Sequence, residues 1–286
     1  MRKITVSALC LGTAFLLSAC AGGNKDAEVE RALQRVTALD DNTLSALMLT
    51  SAEPKAAVNY FRRSLPPQPA RADFKRGLGI SLTRAGAPTE AVRVLSDLVD
   101  SPGSTPADRI ALADAQIRTG DWDGAEATLN AIPPTYETFE RYRLEAMVAD
   151  SNKEWQSADV FYETALGLTT KPSGVLNNWG YSKLTRGDFR DAERLFGEAL
   201  VYSPEMFTAK NNLVLARAAQ RNYELPVISM TQVEHAQLLH TAALGAIKQG
   251  DVTTGKSLLR SALDTHPQHF EAAARSLRAL EEDVTY

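Results

Sequence analysis

The chain has 286 residues, of which 44% are apolar and 23% charged, and its formal net charge is −4. That acidic balance argues against nucleic acid as a partner, because binding to the phosphate backbone rests on cationic surface. The length suffices for one sizeable core or two modest domains.

The opening stretch, MRKITVSALCLGTAFLLSACAGGNKD, sets Arg2 and Lys3 before an uncharged run from Ile4 to Ala19. At 16 residues this run is shorter than the roughly 20 that span a bilayer as a helix, and small residues close it. It reads as a cleaved export signal. Leu17, Ser18, Ala19 and Cys20 resemble the lipobox of bacterial lipoproteins, in which the signal peptidase cuts before the cysteine and the thiol carries a diacylglycerol. The resemblance implies a signal peptide over 1–19, lipid attachment at Cys20, and a lipidated N-terminus and tether over 20–37. Cys10 leaves with the signal, so no internal disulfide remains possible, and a lone thiol in an oxidising compartment is a liability unless acylated. Cleavage removes Arg2 and Lys3 and no acid, which moves the formal charge from −4 to −6.

Self-similarity organises the rest of the chain. In NNWGYSKLTRGDFRDAERLFGEALVYSPE, the residues Gly180, Gly187, Phe189, Ala192, Phe196, Ala199, Leu200 and Pro204 resemble the tetratricopeptide repeat (TPR) signature, which assigns a repeat to 173–206. Steps of 33 or 34 residues recover the pattern at Trp155, Ala158, Tyr162 and Ala165, at Gly120, Trp122, Ala125 and Leu129, at Gly79, Gly86, Ala91 and Leu95, and at Ala57, Phe61, Leu65 and Pro69. The alanine at repeat position 20 thus falls at 57, 91, 125, 158 and 192. Small residues at positions 8 and 20 let two helices approach closely, and the large residue at 24 fills the space between repeats. Glycine at 15 ends the first helix and proline near 32 ends the second. Residues 38–222 are therefore predicted to be TPR repeats.

The register breaks after the helix predicted over 207–222. Position 20 there is Pro226, inside YELPVISM, and a proline in a helix interior costs about 3 kcal/mol. Residues 223–235 are read as an irregular connector and the start of the next helix, with 223–230 extended. Val227, Ile228 and Met230 either pack over the core or form an exposed patch. Thr231 and Glu234 have capping-box spacing, so a helix is expected to start at Thr231. A final TPR-like repeat comes next over 236–269, with Gly250 at position 15 and Gly255 at position 20, and then a capping helix and tail over 270–286. The predicted fold is all-α, a TPR superhelix of about six to seven repeats, one of them irregular.

Residues 250–257 also match the nucleotide-binding pattern G-x-x-x-x-G-K-[ST], through Gly250, Gly255, Lys256 and Ser257. Such a loop needs a buried strand before it, and here an alanine-rich helix is expected instead. Gly250 is read as a turn, Gly255 as a close helix contact, and no nucleotide is expected. His235, His240, His266 and His269 lie in the last quarter, but no cysteine or closely spaced carboxylate completes a metal site around the H-P-Q-H stretch. Neither a G-x-S-x-G nor an H-E-x-x-H motif occurs. The chain is read as non-enzymatic, without cofactor or metal.

TPR superhelices bind protein segments in a groove lined by the first helices. The resemblance puts Asn177, Asn178, Tyr181, Asn211 and Asn212 there, with Arg76, Arg84, Arg118 and Arg143 earlier in the groove. The amides suit a peptide backbone, and the arginines an acidic or C-terminal carboxylate segment. The lipobox, the repeats and the interrupted segment RNYELPVISMTQVEHAQLLHTAALGAIKQGD together are similar to the TadD family of Flp pilus assembly lipoproteins. That resemblance implies a pilotin or assembly factor in tight-adherence (Flp) pilus biogenesis, with the outer-membrane secretin or another pilus component as partner. Ala21 after the lipidated cysteine implies an outer-membrane anchor facing the periplasm. The alternatives are a TPR lipoprotein adaptor for outer-membrane protein assembly or for cell-wall enzymes and, from a different class, an NTPase.

Overall fold

The computed structural model describes residues 41–282; the signal peptide, Cys20, the 20–37 tether and the tail 283–286 lie outside them. Fourteen α-helices and no strand occur among the described residues. They are α1 (Asp41–Thr50), α2 (Pro54–Ser64), α3 (Ala72–Arg84), α4 (Pro88–Val99), α5 (Pro106–Thr119), α6 (Trp122–Asn130), α7 (Phe139–Ser151), α8 (Trp155–Gly167), α9 (Ser173–Thr185), α10 (Phe189–Tyr202), α11 (Phe207–Ala219), α12 (Gln232–Lys248), α13 (Val252–Thr265) and α14 (Glu271–Glu282). None of these helices is long and apolar enough to cross a membrane.

Helices pair as hairpins because a small residue stands where each pair crosses. Ala57, Ala91, Ala125, Ala158 and Ala192 are all 0% exposed. The facing residue is equally constrained: a Cβ added to Gly180 on α9 would lie 2.7 Å from the Phe196 ring on α10. Beside each alanine sits the large residue of the second helix. Phe61, Leu95, Leu129, Tyr162, Phe196 and Leu259 are at most 2% exposed.

From α3 onward, the turn after the first helix of each repeat is a left-handed residue at position 15. Gly86, Gly120, Gly187 and Gly250 have φ between 78° and 90°, and Lys153 and Arg221 take the same conformation at 62° and 61°. In all six turns the following N–H donates to a carbonyl five residues back, from Ala87 to Leu82 through to Asp251 to Ala246, at 2.8–3.0 Å. This closes the free carbonyls of the first helix. Only four of the six positions are glycine, so the repeat geometry holds two β-carbon residues in a strained region.

First helices of successive hairpins touch one another, α3 with α5, α5 with α7, α7 with α9 and α9 with α11, whereas second helices do so to no comparable degree. The first helices therefore line the shorter, inner side of the superhelix.

After α11 the second helix is missing. Arg221 still makes the turn, but Pro226 is buried at position 20 and residues 223–230 form no helix. The residues of this connector divide between core and solvent. Leu225 and Met230 pack on the cluster of Val214, Leu238 and Ala242, and Ile228 packs on the core of α9 and α10, while Val227 is fully exposed. α12 then lies directly on α11, where a Cβ at Gly245 would come within 2.5 Å of the Ala218 methyl. Its start is fixed by the Thr231–Glu234 capping box. Glu234 also takes hydrogen bonds at 3.2 and 3.3 Å from Lys210 of α11, a lysine only 2% exposed.

Replacing Lys153 or Arg221 by glycine removes the left-handed strain and is expected to raise stability by about 0.5–1 kcal/mol in denaturant titrations, whereas Gly120→Ala lowers it by about 1 kcal/mol. Glu234→Ala leaves Lys210 as a buried unpaired charge and is expected to cost roughly 3 kcal/mol. Adding Lys210→Met should restore most of that loss in the same titrations, because the double variant buries no charge.

Candidate functional site

On the inner side a cleft of about 510 Å³ runs along α9, between α7 and α11, with Trp122 and Trp155 at one end and Thr208 and Asn212 at the other. It is lined by first-helix side chains, plus Tyr162 of α8 and the two tryptophans that start second helices α6 and α8. Met147, Asn177, Asn178 and Tyr181 line it, and Tyr181 is 54% exposed.

Asn177 and Asn212 meet across α9 and α11, where the Asn212 amide donates to Asn177 Oδ1 at 3.1 Å. The Asn177 Nδ2 group and Asn212 Oδ1 keep no partner among the described residues, so a donor group and an acceptor atom are left at the cleft. Asn178 Nδ2 donates to Met147 Sδ at 3.6 Å, and Asn211 accepts from Thr241 of α12 at 2.7 Å. The asparagines thus tie neighbouring first helices together, and one pair among them also presents a free amide edge.

The arginines are placed differently from the open groove cations expected. Arg76 bonds both oxygens of Asp108, which is 0% exposed and belongs to the capping box of α5 with Thr105. Burial opposes ionisation of Asp108 most strongly, but the Arg76 and Thr105 hydrogen bonds outweigh it and hold the carboxyl below its usual range. Arg84 donates to the carbonyls of Leu49 and Ala52 at the end of α1. Arg118 and Arg143 share Asp114, at 3.1 and 3.5 Å. Arg76 and Arg143 thus brace successive first helices, Arg118 pairs within its own helix and stays 54% exposed, and Arg84 meets carbonyls and no carboxylate, so each expected groove arginine has a partner in its own chain without all of them being neutralised.

The cleft floor holds a group that the sequence pattern did not single out. Tyr162 occupies position 24, filled by phenylalanine or leucine in the other hairpins, and its buried hydroxyl needs a partner. It donates to Asp150 Oδ2 at 2.8 Å, and Ser182 Oγ donates to Oδ1 at 2.6 Å. Burial pushes the Asp150 carboxyl above its ordinary value; the two hydrogen bonds and the more distant Arg186 charge oppose this, and Asp159 adds to it. The same burial, together with Asp150, pushes the Tyr162 phenol far up, so it stays protonated. Asp150 stands at groove position 12 of its repeat, so register alone could have nominated it.

Behind the floor, Trp179 stacks on Tyr162 with ring centres 6.1 Å apart. Its indole N–H donates to Asp159 at 2.6 Å, and Lys183 and Arg186 bond the same carboxylate. Arg186 also sits 5.7 Å from the ring centre of Trp155. These contacts fasten α8 to α9 and make the floor rigid.

The nucleotide-loop match has no loop to occupy. Gly250 ends α12 with φ 84°, and Asp251 caps α13 through the Thr254 N–H at 3.0 Å. Gly255 lies inside that helix, where an added Cβ would stand 2.5 Å from Ile247 Cγ1. Lys256 and Ser257 come after it within α13, on a helix preceded by another helix and not by a strand. His240 contacts Ser276 at 3.3 Å and the edge of Phe270, while His266 and His269 bond Gln268 and Glu271. No group of three potential metal ligands occurs among the described residues.

A family model of the tetratricopeptide repeat matches residues 177–225. Among solved structures, the APC/C hetero-tetramer Cut9–Hcn1 matches with a TM-score of 0.61 and 16% identity over 83% of this chain and 48% of that one. A tetratricopeptide repeat protein from Parabacteroides merdae gives 0.53 and 14%, over 91% of this chain and 100% of its own. Human IFIT1, crystallised as a dimer with PPP-AAAA, gives 0.56 and 14%, over 79% of this chain and 59% of its own. This chain therefore spans about half the length of the Cut9–Hcn1 chain it matches. The sequence matches no curated protein. At these identities the likeness establishes the fold alone: the protein is an all-α solenoid of the TPR type.

Because folding raises the Asp150 pKa, the folded chain holds that proton more tightly than the unfolded chain. The resulting stability is full below the unfolded value and is lost as pH rises through the folded one. Asp150→Asn is therefore expected to raise the thermal midpoint at pH 7 by roughly 1–3 °C, with the advantage vanishing toward pH 3; melting curves at both pH values check this.

Proposed function

We propose that this protein is a non-enzymatic, lipid-anchored scaffold of the outer membrane that docks segments of partner proteins in its inner groove during Flp (tight adherence) pilus assembly, with the secretin as a partner. The observation that carries the docking reading is the cleft along α9. The free Asn177 N–H and Asn212 carbonyl match the carbonyl and N–H of a peptide bond, and Trp122, Trp155 and Tyr181 supply apolar area at small entropic cost. The rigid floor adds to this, since a preorganised site loses less freedom on binding.

The anchor and the pilus role are supported by sequence. The lipobox ending at Cys20 and Ala21 supports an outer-membrane anchor facing the periplasm, and the similarity to TadD proteins supports the pilus. A tether over 20–37 would let the solenoid reach partners near the membrane surface.

A photo-crosslinking amino acid in place of the exposed Tyr181, activated in cells that make the pilus, is expected to yield an adduct containing the secretin or another pilus component, and Cys20→Ser to abolish metabolic labelling with palmitate. Adducts that contain only unrelated proteins would overturn the pilus assignment, and persistent labelling of the Cys20 variant would overturn the anchor.

A further inference from the structure

The cleft is lined by one acid, Asp150, and by no base. Its carboxylate is half-buried and forms no ion pair among the described residues: both of its hydrogen-bond partners, Tyr162 and Ser182, are neutral hydroxyls, and Arg186 acts on it only from a distance. The nearest cations are held elsewhere. Arg143 bonds Asp114 and Met147, and Arg186, 10% exposed at its side chain, bonds Asp159 and approaches Asp188 at 3.4 Å. An ionised carboxylate offers about four acceptor positions, of which two are used here. Around it stand Trp122, Trp155 and the exposed Tyr181, whose ring faces carry the partial negative charge that attracts cations.

The Tyr162–Asp150 pair is not needed for packing. Phe61 and Phe196 fill the corresponding place in their hairpins with no hydroxyl to satisfy and are 0% exposed. A chain selected only for stability would dispense with a half-buried carboxylate, because desolvating it opposes folding. The arrangement keeps an acid in an aromatic-walled cleft with no cation bonded to it among the described residues, the Arg186 charge being bound to Asp159.

We propose that the cleft takes the lysine or arginine side chain of an extended partner segment, with Asp150 as its counter-ion and Trp122, Trp155 and Tyr181 as its aromatic surface. The charge complementarity is the reverse of that suggested by the groove arginines, all of which are bound within the chain. This assignment rests on the reading of the cleft as a docking site, and it names the chemistry that the site selects.

The three tryptophans report on it directly. Trp122 and Trp155 line the cleft, while Trp179 lies behind it with its N–H on Asp159. Blocked pentapeptides of sequence Asn-Ala-X-Ala-Asn, with X as Arg, Lys, Gln or Glu, are titrated into the full-length chain labelled at the indole nitrogens. The Arg and Lys peptides are expected to shift the Trp122 and Trp155 signals and to bind about tenfold more tightly than the Gln peptide. Asp150→Asn should bring the Arg peptide to the level of the Gln peptide, and Tyr181→Ala, at an exposed site, should weaken it about threefold. Equal or tighter binding of the Gln or Glu peptide, or unchanged Arg binding by the Asp150 variant, overturns the assignment and leaves the docking reading standing. If none of the four peptides shifts either signal the assignment also falls, and crosslinking through position 181 then decides separately whether the cleft docks protein at all.

Discussion

Where the two helices of a hairpin cross, there is room for a hydrogen or a methyl group and little more. Ala57, Ala91, Ala125, Ala158 and Ala192 occupy that crossing with no exposed surface, and on the partner helix Gly180 cannot accept even a Cβ without meeting Phe196. The close approach brings the large residue of the second helix into reach of the next hairpin, so that Phe196 or Leu95 seals one repeat and packs the following one. Stability is then shared between neighbours, as in other stacked repeats. The spacing also sets the curvature. First helices pack on successive first helices more closely than second helices do on one another, which gives the solenoid an inner side and creates the cleft along α9.

The broken repeat is the test of how far this geometry tolerates departure. Pro226 removes the helix that should come after α11, yet Arg221 still turns the chain as a glycine would. Leu225, Ile228 and Met230 then supply, from an extended segment, apolar contacts of the kind a helix face would have made. α12 moves onto α11 directly, with Gly245 against Ala218 and the buried Lys210 clamped to the capping box. The chain thus keeps a continuous core across the interruption by replacing one helix with a strap and a tighter crossing.

Charge along the inner side is divided between bracing and exposure. In the early repeats Arg76, Arg84, Arg118 and Arg143 meet carboxylates or carbonyls of their own chain, and all but Arg118, which pairs within its helix, link one helix to another. Around α9 the balance changes: the amides of Asn177 and Asn212 keep free edges, and Asp150 keeps a carboxylate that no cation bonds among the described residues. A surface that has satisfied its own charges offers little to a partner, because a new contact must first break an old one. The unsatisfied stretch is therefore the one where recognition has something to gain.

The sequence by itself determined the repeat, because close crossing, the αL turn and inter-repeat filling each demand a narrow class of residue at a fixed spacing, and that spacing is visible in one dimension. It also marked Pro226 as the break and Thr231 with Glu234 as the restart, since proline chemistry and capping act within a few residues. Tertiary structure alone decided which polar groups remain available. Arg76 finds Asp108, and Asn177 finds Asn212, across more than thirty positions, and no local pattern records such a pairing. It likewise turned Lys153 and Arg221 into left-handed residues, because the two packed helices on either side overrule the preference of a single side chain. Asp150 was legible only as a groove position; its burial beside Tyr162 and its bonding to hydroxyls, with no cation bonded to it among the described residues, arise from the way α7, α8 and α9 come together.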